Sequence, residues 1–359
     1  MNDVLQNFWG KATFLPHDEP SRSDSLLEKV RERHQAAFIA YGLKLLFKEP
    51  QLYKETGFAE LFESFKSSSA ERRRFIVEHP VFLVWLKQLS DPSLQHDALE
   101  AKLAESKRVI GICDKDERST ADNHAADVVK IDGSSICLAR FIIDPLIAQA
   151  TLPEYRFPDA RRQQEFEEKV VYPESFFKEM VSLALERIKQ AWPEAHREFP
   201  KFVKIIVDMI DADFTSYSAC DHSGVIFVST DNSPLIALEE YLIHELGHQI
   251  LYNVMELDPL VLDETERVYK LPWSGQERNL YGYFHALYIY VFLAHYYRRI
   301  EHRSGREQRR AADRIAHIVK GLNKAVLDFE DAACFTPKGK QLFENLKLEI
   351  QLLQEHFVK

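Results

Sequence analysis

The chain has 359 residues, long enough to bury a large core in one or two domains. It is 45% apolar and 28% charged with a formal net charge of −10, which argues against a nucleic-acid binder, since that needs a basic footprint. No apolar run approaches the roughly 20 residues of a membrane span, and the start, Met1 to Gln6, lacks the basic-then-apolar pattern of a secretory signal. Cys113, Cys137, Cys220 and Cys334 are widely spaced and form no C-x-x-C, so they read as reduced thiols of a cytoplasmic protein.

Residues 1–22 form a mixed lead-in. A helix is expected from Asp24 to about Phe47, with Leu27, Val30, His34, Ala37, Tyr41 and Leu45 on its inner face and Pro50 stopping it. Two more helical segments follow over 55–68 and 70–90, the second interrupted at His79-Pro80. The polar run 91–107 closes this helical third, and His34 and His79 read as structural histidines. The texture then changes. Val109–Cys113 and Val128–Ala139 predict strands, the latter folded back at Asp132-Gly133. A helix from Pro173 to about Trp192 precedes a buried strand over 202–210. Ser216–Cys220 and Gly224–Ser229 then predict hairpin arms.

The next segment, Ser233 to Tyr252, carries His244-Glu245-Leu-Gly-His248 on a helix opened by Asn232 or Ser233, with Pro234 at its first position. Histidines four apart stack one turn above the other, so both imidazoles reach one metal ion. Glu245 lies about 60° around the helix from His248, near the ion but angled away from it. The order of strands feeding a metal helix resembles the core of HExxH metalloproteases. There an edge strand pairs with an extended peptide, so a peptide substrate fits this layout.

Two histidines hold a metal weakly, and a third donor is expected. The downstream extension used by one protease class is absent, with Leu251 and Val254 at its places. Glu264 or Glu266 stands at the distance of a glutamate ligand, within a short charged segment. His285 is the other candidate, midway along an apolar helix expected over 278–297, where an unpaired imidazole is expensive. On the same predicted face Arg278 lies two turns earlier with Gly282 between. That spacing suggests a metal end and a carboxylate-gripping end roughly 10 Å apart, with room for a small dicarboxylate. His295 and Trp273 read as structural. Amphipathic helices over 305–332 and from Thr336-Pro337 onward complete the chain, the last with Leu342, Leu346, Ile350 and Leu353 inward.

His244-Glu-Leu-Gly-His248 together with Leu271-Pro-Trp-Ser-Gly-Gln-Glu-Arg278-Asn-Leu-Tyr-Gly282-Tyr-Phe-His285-Ala-Leu-Tyr288 resembles the HExxH-motif peptide-modification proteins. These are 2-oxoglutarate-dependent, iron-containing β-hydroxylases of ribosomally made, post-translationally modified peptides. The likeness spans roughly residues 200–350, through Thr336-Pro-Lys-Gly339. It implies Fe(II) at His244 and His248 with His285 assigned as third ligand, 2-oxoglutarate held by Arg278, and Glu245 orienting water or substrate. The substrate it implies is a ribosomal precursor peptide, with no nucleic acid and no membrane.

The resulting expectation is an α+β fold, predominantly helical: a zincin-like small sheet plus metal helix, packed with helical N-terminal and C-terminal segments. Its divisions are a helical N-terminal region over 1–105 and an HExxH metal-binding catalytic domain over 106–359. The competing expectations are a zinc metallopeptidase with Glu245 as general base and Glu264 or Glu266 completing the site, and a non-catalytic peptide-binding scaffold.

Overall fold

A computed structural model describes residues 9–16, 19–91, 93–114, 128–131, 133–139, 174–208, 215–230, 234–262, 268–330 and 335–355. In chain order its elements are helices α1 (Pro20–Lys48), α2 (Pro50–Glu55), α3 (Phe58–Ser67), α4 (Ala70–Glu78), α5 (Pro80–Leu89), α6 (His96–Ala104) and α7 (Ser106–Asp114). Strands β1 (Val128–Lys130) and β2 (Cys137–Ala139) follow, then helices α8 (Glu174–Ala191) and α9 (Pro193–Phe202), then strands β3 (Ile205–Asp208), β4 (Ser216–Tyr217) and β5 (Val225–Val228). Helix α10 (Leu235–Leu257), strands β6 (Tyr269–Lys270) and β7 (Glu277–Arg278), and helices α11 (Leu280–Ile300), α12 (Gly305–Glu330) and α13 (Pro337–Glu355) complete it. The fold is predominantly helical with a small mixed sheet. Among the described residues no helix is long and apolar enough to cross a membrane.

The chain divides into two compact units along a different line from the expected boundary near residue 105. One comprises residues 1–27, 180–201 and 232–359, and the other residues 28–179 and 202–231. The sheet belongs to the second unit and the histidine helix α10 to the first.

In the second unit the sheet order is β1-β2-β3-β5-β4. The inner pairings β2–β3 and β3–β5 are parallel and both edges antiparallel, with Ser216 opposite Val228 at the β4 edge. Gly133 takes the left-handed conformation (φ 74°) in the β1–β2 turn, the backbone region that favours glycine. The helical core of this unit is aromatic. Phe38 is fully buried and meets Phe58, Phe62, Phe65 and Phe82 at ring-centroid distances of 5.0–5.8 Å. The inner face of α1 therefore runs through Val30, His34, Phe38 and Leu45, while Ala37, expected inside, is exposed. His79 caps α5, its Nδ1 accepting from the Val81 amide at 3.3 Å, which is a structural use.

Three local expectations fail here. Val109–Cys113 lies in helix α7 and not in a strand, and the polar run 91–107 contains all of α6. A short apolar run does not distinguish strand from helix. Leu103, Ser106 and Val109, three residues apart and all buried, decide for helix. Phe202 ends α9, so the buried strand starts only at Ile205; it is described to Asp208, and residues 209 and 210 lie outside the described residues.

In the first unit α11 is buried nearly all round, as an apolar helix should be, and α10, α12 and α13 pack on it. The contact with α10 is close at Gly247. A Cβ there would lie 2.9 Å from Ile289 Cδ1 and 3.5 Å from the Phe292 ring. The first turns of α10 are tied down by two buried carboxylates. Glu239 accepts from Arg187 Nε (2.6 Å), Arg303 Nη1 (2.7 Å) and the Tyr296 hydroxyl. Glu240 accepts from Arg314 Nε (2.9 Å) and the Tyr297 hydroxyl. Buried charge is tolerated because each oxygen has a charged or hydroxyl donor. Trp273 belongs to this core: it stacks on Tyr290 at 4.0 Å, and its indole N–H donates to the Ile318 carbonyl at 3.0 Å. His295 is likewise structural, with Nε2 3.1 Å from Glu349 and the Trp192 ring alongside. At α13, the Thr336 hydroxyl accepts from the Gly339 amide at 3.0 Å, and Leu342, Leu346, Ile350 and Leu353 are buried.

Candidate metal centre

Helix α10 begins at Leu235 with Pro234 as its N-cap, one residue later than expected. Asn232 and Ser233 lie outside the described residues. Leu238, Leu242, Leu246 and Ile250 are buried, which leaves His244 and His248 one above the other on a flank that is only half-buried. Their Nε2 atoms are 3.2 Å apart, with ring centroids at 4.9 Å and planes at 61°. Two nitrogens about 2.1 Å from a common ion are separated by about 3.0 Å in octahedral and about 3.4 Å in tetrahedral geometry. The observed separation falls between these values, so this pair fits a shared divalent metal.

His285, on α11, lies against the same group. Its ring is nearly parallel to that of His248 (22°), with centroids 5.7 Å apart and Nδ1 3.5 Å from His248 Nδ1. The two rings thus meet edge to edge, nitrogen toward nitrogen. This contact uses the His248 nitrogen opposite the one that faces His244. The three imidazoles are neighbours, but their nitrogens do not meet at one point. Among the described residues no set of three His, Cys, Asp or Glu side chains is arranged around one ion position. The pair fits a metal; the triad does not in this arrangement.

Three further side chains enclose His285. Met255 Sδ is 3.0 Å from its Nε2. The Tyr281 ring lies at 4.4 Å, and the Tyr252 ring at 5.2 Å, the latter also stacked on His248 at 5.8 Å. Burial lowers the His285 pKa to about 3. His248 is held well below the ordinary histidine range by burial, then by the nearby His244 and His285. Both rings are therefore neutral near pH 7, the state in which imidazole binds metal. None of Tyr252, Met255 and Tyr281 was singled out from the sequence. Their signal was present all the same: Tyr252 and Met255 follow His248 by four and seven residues, and Tyr281 precedes His285 by four, all same-face spacings.

The Glu245 carboxylate is buried, with Oε1 3.9 Å from His244 Nε2. It stands beside the paired Nε2 atoms without joining them. Arg278 departs from the expected helix. It ends β7, with Tyr269 opposite in the short ribbon β6–β7, and Asn279 caps α11 by accepting from the Gly282 amide at 2.9 Å. Its exposed guanidinium donates to Gln276 Oε1 at 2.7 Å and to the Glu277 carbonyl at 2.9 Å. The space over Gly282 is not a hollow: a Cβ there would meet Arg278 Cδ at 3.2 Å and Asn279 Oδ1 at 3.3 Å. The arginine stem thus crosses α11 one turn before His285. Glu264 and Glu266 lie outside the described residues, as does Cys334. Cys137 and Cys220 are free thiols.

No protein-family model matches the chain, and no curated protein sequence matches it.

Proposed function

We propose that this protein is an Fe(II)- and 2-oxoglutarate-dependent hydroxylase acting at a β-carbon of a ribosomally made precursor peptide. The observation that carries the reading is the approach of a third imidazole, from a second helix, to a histidine pair already at metal-ligand separation. The resemblance of residues 271–288 to the peptide-modifying HExxH proteins supports the same reading.

His244 and His248 would hold the metal through Nε2; His285, the expected third ligand, faces the far nitrogen of His248 and in this arrangement would orient that ring from outside the metal shell. With dioxygen as the oxidant, bound iron and 2-oxoglutarate would supply the chemistry that replaces C–H by C–OH, one oxygen atom entering the peptide and the other the succinate that forms as carbon dioxide leaves. Arg278 would pair with the far carboxylate of 2-oxoglutarate, in exchange for its bond to Gln276. Tyr252 and Tyr281 cover His285 and limit the water around it. Glu245, buried next to His244, orients water or substrate. A zincin-like fold class belongs to this proposal as well.

That same carboxylate favours one second reading, a zinc metallopeptidase in which Glu245 is the general base. Incubating iron-loaded protein with a candidate precursor peptide and 2-oxoglutarate separates the two. Hydroxylation adds one oxygen to the intact peptide and yields stoichiometric succinate. Cleaved peptide without succinate would establish the peptidase and discard the hydroxylase.

A further inference from the structure

We infer that Met255 is a positioning residue that fixes which nitrogen of His285 carries the proton, so that His285 offers only Nδ1 to the paired histidines. The 3.0 Å approach of Met255 Sδ to His285 Nε2 is the starting point. A thioether has lone pairs and no proton to give. A bare Nε2 would set lone pair against lone pair at that distance, whereas an Nε2–H makes an attractive N–H···S contact. A neutral imidazole has a single N–H. Placing it on Nε2 leaves Nδ1 as the only nitrogen of His285 with a free lone pair.

The ordering propagates. Nδ1 of His285 faces Nδ1 of His248 at 3.5 Å, and the contact is attractive only if His248 carries its proton there. Nε2 of His248 is then bare, toward Nε2 of His244 at 3.2 Å. This is the nitrogen the metal reading requires. A sulfur atom at one end of α10 thereby sets the tautomer of an imidazole on α11, which returns the effect to α10 two turns earlier. Metal-binding histidines need such an outer partner to hold ring and tautomer. Here the partner at the end of the chain is a thioether. Met255, seven residues beyond His248, is on the correct face for it. The consequence for metal affinity rests on the proposed function; the tautomer itself does not.

The test is long-range proton–nitrogen correlation NMR on the full-length, metal-free protein with nitrogen-15 histidine. Signals of residue 285 are assigned by their loss in His285→Gln. The wild type should show a protonated Nε2 and a pyridine-type Nδ1. Met255→Leu, close in volume but without an acceptor, should show mixed tautomers. Met255→Gln, whose side-chain carbonyl accepts a hydrogen bond, should restore the single form. Zn(II) affinity should fall about 10- to 100-fold in the leucine variant and recover in the glutamine variant. A protonated Nδ1 in the wild type, or one unchanged tautomer in Met255→Leu, overturns the inference. Wild-type protein with the expected tautomer but no zinc affinity would overturn the metal reading and leave this assignment standing.

Discussion

Burying a histidine ties the stability of the unit that holds it to pH, and His285 makes the tie strong. Its pKa falls from an ordinary 6.5 to about 3 because the folded protein desolvates the ring. The unfolded chain therefore binds the proton that the folded chain refuses. Stability is complete above pH 6.5 and is lost as pH falls from there toward 3. At pH 5 the unfolded side is favoured by about 1.5 pKa units, or about 2 kcal/mol at 1.36 kcal/mol per unit. This is a sizeable part of a typical 5–15 kcal/mol. The measurement is urea-dependent hydrogen exchange of α11 peptides at pH 7.5 and 5.0, with chelator present, in wild type and His285→Gln. Contributions from groups common to both proteins largely cancel. The wild type should lose about 2 kcal/mol more between the two pH values than the variant. Equal losses would mean that the ring of residue 285 is hydrated or protonated in the folded protein, and the reasoning from burial would be wrong.

Replacing either member of the paired histidines should abolish divalent-metal binding: His248→Ala, measured by metal analysis after dialysis, should retain less than a tenth of the wild-type content while keeping its helical circular dichroism. Arg278→Ala should leave metal content intact and raise the 2-oxoglutarate concentration needed for half-maximal succinate release at least tenfold; an unchanged requirement would make this arginine a structural part of the ribbon. Gly339→Ala should cost about 3 kcal/mol in thermal or urea unfolding, because its Cβ would sit 1.7 Å from the Leu260 carbonyl oxygen, a backbone atom with little freedom to yield. Glu239→Ala should cost about 3 kcal/mol by stranding Arg187 and Arg303, with Glu307 still pairing with both and keeping the loss at the low end for a broken buried pair.

Where periodicity was long and caps were plain, the sequence could be read. Helix α11 announces itself by an apolar run too long for a strand, and α13 by its threonine–proline start and four inward positions. The i, i+4 imidazoles of His244 and His248 needed only helical geometry. Val109 could not be read this way, since its short run carries no period of its own and burial beside Leu103 decides its state. Arg278 failed for a different reason. Counting seven back from His285 assumes one unbroken helix, but Asn279 is a better cap than helix interior, and the ribbon pairing with Tyr269 takes the arginine out of the helix. The approach of His285 to the far nitrogen of His248 depends on how two helices pack at Gly247 and Ile289, which one chain of letters does not encode locally. The two-unit division was equally hidden, because each unit collects segments distant in sequence.

The clamping of Glu239 and Glu240 has an evolutionary corollary. Between Glu240 and His244 lie three residues, and the carboxylates fix the rotation of α10 on one side of that interval. Adding or deleting a single residue there would swing the histidines by about 100° and shift them about 1.5 Å along the axis, while the arginines held their end still. Descendants of this chain can exchange one apolar side chain for another at the buried Leu242 and Ile243, but cannot change the spacing.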